Sequence, residues 1–125
     1  MHGPTFMGNA LACAAANASL DLFETEPRLA QAQAISAALA TGLAPCRELD
    51  WVRDVRVLGA IGVVELDGIQ DREALKRRLV EAGVWVRPFG NVVYLTPALT
   101  IDGQDLDTLM PVSYTHLTLP TNREV

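Results

Sequence analysis

The spacing of apolar residues changes once along the chain, from a helical period to a strand period, and this change constrains the fold most. Residues 10–24 are rich in Ala, Leu and Phe, and residues 27–42 carry apolar side chains at alternating spacings of three and four. Further along, Val55 and Val57 alternate with Arg56, and a nearly continuous apolar run follows. The chain therefore predicts two helices followed by one bent strand or two short strands.

The second half of the chain predicts short strands and helices in alternation. We expect a helix over residues 72–82, because Asp71 is a residue type that caps helix starts. Two strands are expected at residues 84–87 and 92–95, joined by a turn, and a last helix should start after Asp102. Helices followed by short strands indicate an α+β or α/β domain with a small mixed or antiparallel sheet.

The sequence also predicts which side chains face the core. Trp51 and Trp85 are expected in the core, and Cys13 and Cys46 as packed, reduced thiols because two distant cysteines do not make a disulfide framework. The second helix should bury one apolar stripe. That stripe consists of Leu29, Ala32, Ser36, Leu39 and Leu43.

Length and charge exclude several classes of protein. The chain has 125 residues, enough for one small domain, and half of them are apolar. Its net charge of −5 argues against nucleic-acid binding and against attraction to an anionic membrane. The apolar run at residues 10–16 is shorter than the roughly 20 residues of a membrane span. Because His2 and His116 have no metal-ligand spacing, no metal is expected. The two reduced cysteines are typical of a cytoplasmic protein, which is the location we expect.

Two groups of residues are suited to binding anions. Gly3, Pro4 and Thr5 form a loop before a helix start, where backbone N–H groups and a hydroxyl suit a phosphate. Arg87 ends an apolar run, and its planar guanidinium matches a carboxylate in a bidentate manner. From the residues alone, an ordinary loop and a structural ion pair remain alternatives.

Residues 1–9, and the segment from Val84 to Pro97, closely resemble the adenosylmethionine–8-amino-7-oxononanoate aminotransferases, pyridoxal-phosphate (PLP) enzymes of biotin synthesis within class III. The resemblance covers roughly residues 1–110. It implies a fold-type I PLP-dependent transferase. Residues 1–25 would then end the cofactor domain, and residues 26–110 would form the C-terminal small domain, with helices packed on its sheet.

The resemblance also implies roles for single residues. Thr5, in a loop shaped by Gly3 and Pro4, would bind the phosphate of PLP across the interface of a homodimer. Arg87 would hold the substrate carboxylate, and Phe89 would line the pocket. The implied reaction moves an amino group from S-adenosylmethionine to 8-amino-7-oxononanoate, giving 7,8-diaminononanoate.

The catalytic lysine implied by the resemblance is missing from the chain. Transamination needs a Schiff-base lysine in a pocket, whereas the single lysine, Lys76, lies in a charged helical face next to Arg77 and Arg78. The resemblance places the catalytic lysine before Gly3. We therefore expect a C-terminal piece of an enzyme, with Met1 an internal methionine, that is inactive alone. Residues 111–125, where the last helix should be abandoned, are expected to be a non-native tail.

Two alternatives remain at this point. Another class III enzyme, of the ornithine or omega-amino-acid type, would share the fold and the cofactor. A non-enzymatic α/β domain used for binding or assembly would fit the single lysine, but it would leave Thr5 and Arg87 unexplained.

Overall fold

The computed structural model describes residues 7–86 and 88–118, with side chains described as far as residue 111. Within these residues the chain forms four α-helices, one 3-10 helix and three strands. The helices are α1 (Ala10–Thr25), α2 (Arg28–Leu43), α3 (Arg72–Glu81) and α4 (Gly103–Thr118), with the 3-10 helix at Ala44–Glu48, and the strands are β1 (Val52–Leu58), β2 (Ile61–Leu66) and β3 (Val92–Leu95). The predicted α+β architecture is confirmed.

The described strands form one antiparallel sheet in the order β1-β2-β3. Val64 of the central strand is paired with Val55 on one side and with Val93 on the other, and all three side chains are buried. Because side chains alternate along a strand, the neighbouring row, which includes Arg56 and Tyr94, lies on the opposite and more exposed face. The sheet therefore has one core face.

Glycine allows the helices to approach the core closely at two points. A Cβ atom on Gly62 of β2 would lie 2.8 Å from Cδ1 of Leu43, at the end of α2. A Cβ atom on Gly42 would lie 2.0 Å from Sδ of Met110 on α4. Helix α2 therefore packs between the sheet and α4. A side chain larger than that of glycine would clash at both Gly42 and Gly62.

Side-chain caps start three of the helices. Asn9, Asp71 and Asp102 each accept a hydrogen bond from the backbone N–H three residues later, at 3.0, 2.8 and 2.7 Å respectively. Such a bond satisfies one of the N–H groups that a helix start leaves unpaired. The helix starts predicted after these residues are confirmed.

Helix α1 packs less closely than predicted. None of its side chains, all of which the structure describes, is buried. Cys13 is exposed, so the prediction of a packed thiol is wrong for this residue, whereas Cys46 is buried. Leu29 at the start of α2 is also 72% exposed, because the buried stripe of α2 begins only at Ile35.

The strand predicted at residues 84–87 is not present among its described residues. Val84 and Val86 are buried and Trp85 is 73% exposed, which is the alternation of an extended segment. A single bridge, between Phe89 and Val92, links the following residues to β3. The placement of Trp85 in the core was wrong, since it lies on the outer side of this segment. Trp51 packs against the core as expected.

Helix α4 continues past the point where we expected it to end. It contains Pro111 and extends to Thr118. Proline removes one backbone hydrogen bond of a helix. Leu106 and Met110 are buried before the proline, so they fix the helix to the core and one lost bond does not end it.

The fold predicts unequal effects of two leucine substitutions in α2. Leu39 is fully buried, so Leu39→Ala should lower the free energy of unfolding by about 2–5 kcal/mol. Leu29→Ala on the same helix is the matched control and should cost less than about 0.5 kcal/mol. Urea unfolding followed by circular dichroism measures both values, and equal losses would contradict the described core.

Candidate active site

Most of the predicted site residues lie outside the described residues. The four predicted site residues outside the described part of the chain are Gly3, Pro4, Thr5 and Arg87, and their roles remain predictions. Phe89 is described, and it lies just before β3. The candidate site is therefore described through Phe89 and the elements that hold it.

Phe89 flanks a tight two-residue turn. Its backbone N–H donates to the carbonyl of Val92 at 2.8 Å, and the N–H of Val92 donates back at 2.9 Å. Gly90 has a φ of +58°, a left-handed conformation that favours glycine. The Phe89 side chain is 78% exposed. The turn thus fixes the Phe89 backbone while leaving its ring open to contact.

This turn is tied to the end of the central strand. The N–H of Leu66 donates to the carbonyl of Asn91 at 2.8 Å, and the Asn91 amide donates to the carbonyl of Asp67 at 3.5 Å. The N–H of Asp67 in turn donates to the carbonyl of Trp51, at 2.9 Å. Backbone bonds therefore connect the Phe89 turn to both β2 and the start of β1.

An ion-pair network lies beside this connection. Arg56 contacts Asp54 and Glu65, both at 2.7 Å, and Arg53 contacts Asp67 at 3.4 Å and Glu65 at 4.0 Å. The hydrogen bond from Arg56 lowers the pKa of the Asp54 carboxyl. These groups are exposed to solvent except for Glu65, which is partly buried, so each pair contributes little stability by itself. The network links β1 to β2 on the face away from the core.

Two depressions lie near the candidate site. An open groove of about 490 Å³ runs between residues 83–86, the end of β3 and α4, with Trp85 and Tyr94 in its lining. A second, of about 400 Å³, is lined in part by Pro88, Asp71 and Lys76. Both are formed by segments next to Arg87.

Lys76 is unsuited to holding a cofactor covalently. It lies on α3, and its ammonium is 3.7 Å from the carboxylate of Glu73 one helical turn away. A nucleophilic lysine is activated by burial in an apolar pocket or by a neighbouring cation, whereas the partly exposed Lys76 lies beside a carboxylate.

The described part of the chain contains neither a metal-binding cluster nor a membrane-spanning helix. Across residues 7–86 and 88–111, no cluster of His, Cys, Asp and Glu could hold a metal ion. None of the described helices is long and apolar enough to cross a bilayer.

Comparison with known families covers nearly the whole chain. The family model described as Aminotransferase class-III matches residues 1–113. The chain belongs to this aminotransferase family. It is 48% identical over 97 residues to the adenosylmethionine-8-amino-7-oxononanoate aminotransferase of Corynebacterium glutamicum, and 43% identical over 112 residues to that of Buchnera aphidicola from Acyrthosiphon pisum. These alignments cover 78% and 90% of the chain, but 23% and 26% of the relatives.

Solved structures agree with this assignment. The adenosylmethionine-8-amino-7-oxononanoate aminotransferase of Methanocaldococcus jannaschii matches with a TM-score of 0.78 and 32% identity, over 93% of this chain and 29% of that one. A PLP-bound amine transaminase from an uncultivated Pseudomonas species matches with the same TM-score and coverage and with 30% identity. The chain thus spans about a quarter of the length of its relatives and has the fold of the matching part of PLP-dependent transaminases.

The turn before β3 was predicted, and Gly90 and Asn91 form a pair typical of a two-residue hairpin turn. The bond from Leu66 to Asn91 was not predicted, because it joins residues 25 positions apart. The ion pairs across β1 and β2 depend on strand register, which the sequence did not define.

The ion-pair network generates a prediction about the pKa of Asp54. Because this pKa is lowered in the folded protein, the interaction stabilises the fold above the usual value of 3.8 and is lost as the pH falls through the lowered value. Arg56→Gln should therefore raise the pKa of Asp54, measured by NMR titration of its carboxyl carbon. Arg77→Gln removes an equal charge from α3 as the control, and an unchanged pKa in Arg56→Gln would contradict the network.

Proposed function

We propose that this chain is the C-terminal part of a PLP-dependent transaminase of biotin synthesis. The whole enzyme would transfer an amino group from S-adenosylmethionine to 8-amino-7-oxononanoate and yield 7,8-diaminononanoate. The observation that carries this proposal is the 48% identity, over 78% of the chain, to the adenosylmethionine-8-amino-7-oxononanoate aminotransferase of Corynebacterium glutamicum. The whole enzyme would act in the cytoplasm as a homodimer.

The helix start behind the Gly-Pro-Thr loop suits a phosphate group. Helix α1 begins after the Asn9 cap, and its first turn carries no acidic residue. The positive end of the helix dipole is therefore not opposed by a carboxylate there. Thr5 would donate its hydroxyl to the phosphate of PLP, and the backbone at Gly3 would allow close approach. By their residue types, Gly3 and Thr5 would suit the phosphate end of the cofactor.

The residues present do not supply the covalent attachment. Lys76 is paired with Glu73 on the surface of α3, so the lysine that holds PLP would come from the part of the enzyme that precedes this segment. PLP, when bound, supplies the electron sink that the reaction needs. This chain would contribute phosphate binding and substrate positioning, while proton transfer would fall to residues elsewhere.

Substrate binding would fall to the segment before β3. Arg87 would bind the substrate carboxylate through its guanidinium, since charge-assisted bidentate pairs combine strength with fixed orientation. The ring of Phe89, which is largely exposed in this structure, would line the pocket beside it. Both residues would then be held by the turn that is bonded to β2.

Helix α1 would pack against the cofactor domain of the whole enzyme. Its exposed apolar side chains include Leu11, Leu20 and Phe23, at 81%, 63% and 51% exposure. Leu20 and Phe23 lie one turn apart, and exposed apolar side chains of this kind are typical of a surface that another element covers. The division at about residue 25, between the cofactor domain and a small domain over residues 26–110, is part of this proposal.

The nearest alternative is a different class III aminotransferase, of the ornithine or omega-amino-acid type. The solved structures that match include an amine transaminase as well as the Methanocaldococcus jannaschii enzyme, so the fold does not distinguish these branches. The choice of amino donor separates them. An enzyme that accepts alanine or ornithine in place of S-adenosylmethionine would belong to the alternative branch.

A hybrid enzyme tests the proposal. In this hybrid, residues 1–110 replace the matching segment of the Corynebacterium glutamicum relative. We expect it to form 7,8-diaminononanoate from S-adenosylmethionine and 8-amino-7-oxononanoate in the presence of PLP. A folded, PLP-binding hybrid that formed no product with this donor would contradict the proposed function.

Within the hybrid, Arg87→Ala tests the carboxylate-binding role. Removing one partner of a charge pair should weaken binding of 8-amino-7-oxononanoate by about 2–5 kcal/mol, while PLP absorbance is kept. Arg77→Ala, an exposed arginine on α3, is the matched control and should leave binding unchanged. Unchanged substrate affinity in Arg87→Ala would refute the assignment.

A further inference from the structure

The chain builds the same two-residue turn twice. One joins β1 to β2, with Gly59 at φ +56° between the paired residues Leu58 and Ile61. The other has Gly90 at φ +58° between the bridged residues Phe89 and Val92. A Cβ atom on either glycine would have no neighbour within 4 Å. At both positions glycine is favoured by the positive φ of the backbone, because there is room for a side chain at each.

The two turns differ in what surrounds them. The Gly59 turn follows the exposed Leu58, which has 83% of its surface accessible. The Gly90 turn is bonded to the sheet, through the N–H of Leu66 to the carbonyl of Asn91 at 2.8 Å and through the Asn91 amide to Asp67. The second turn thus has a fixed position relative to β2.

We propose that the turn of Gly90 and Asn91 is a positioning element, which holds Phe89 in the orientation that binds the carboxylate-bearing substrate. This inference rests on the proposed function. Phe89 directly precedes Gly90, and both of its backbone bonds cross the turn to Val92. A change of φ at Gly90 therefore moves Phe89, while the bond from Leu66 holds the other side of the turn in place.

Alanine and asparagine separate conformation from packing at this position. Alanine rarely adopts a positive φ, so Gly90→Ala should drive the turn towards another conformation. Asparagine adopts the left-handed conformation far more readily, so Gly90→Asn should keep the turn despite its larger side chain. Gly59→Ala introduces the same backbone strain at the other turn and is the matched control.

The three variants are compared in the hybrid enzyme by steady-state kinetics with S-adenosylmethionine and 8-amino-7-oxononanoate. We expect Gly90→Ala to raise the KM for 8-amino-7-oxononanoate about tenfold, with kcat changed less than about threefold, because displacement of a positioning group weakens productive binding. Gly90→Asn should restore the KM to near the value of the unchanged hybrid. Gly59→Ala should leave the KM unchanged.

The outcomes distinguish this inference from the proposed function. An active hybrid in which Gly90→Ala leaves the KM unchanged would overturn the positioning role. Equal effects of Gly59→Ala and Gly90→Ala would also overturn it, since general destabilisation would then explain both. A folded hybrid without activity would overturn the proposed function and the positioning role with it.

Discussion

The described structure depends on the central strand β2, whose two edges and one face all make bonds or contacts that the other elements need. Its edges pair with β1 and β3, and its core face receives α2 at Gly62, where a Cβ atom would meet Leu43 at 2.8 Å. At its end, the N–H of Leu66 bonds the carbonyl of Asn91. The same strand therefore organises the core and fixes the turn beside the candidate site.

Local signals in the sequence predicted the helices well. Asn9, Asp71 and Asp102 cap helices where we expected them, because a capping side chain acts on backbone groups within a few residues. The buried part of α2 followed the apolar spacing at Leu39 and Leu43. Fold class could be predicted because it depends on the order of such elements.

Other features depend on parts of the molecule distant in sequence, and these were not predicted. Cys13 and Leu29 are exposed because no other described element covers them. The spacing of apolar residues along a helix does not show which neighbouring elements will cover it. The missing strand at residues 84–86 reflects too few bonds to β3, although its burial alternates as a strand's does. The sites predicted at Thr5 and Arg87 rested on residue type and on resemblance, and both residues lie outside the described part of the chain.

Under the proposed function, this chain would contribute phosphate and substrate contacts to an active site whose lysine lies elsewhere in the enzyme. Reduction of the PLP-loaded hybrid with borohydride, followed by peptide mass spectrometry, locates the lysine that holds the cofactor. We predict that the reduced adduct lies on a lysine of the Corynebacterium glutamicum portion, because Lys76 is paired with Glu73 on α3. An adduct on Lys76 would contradict the account.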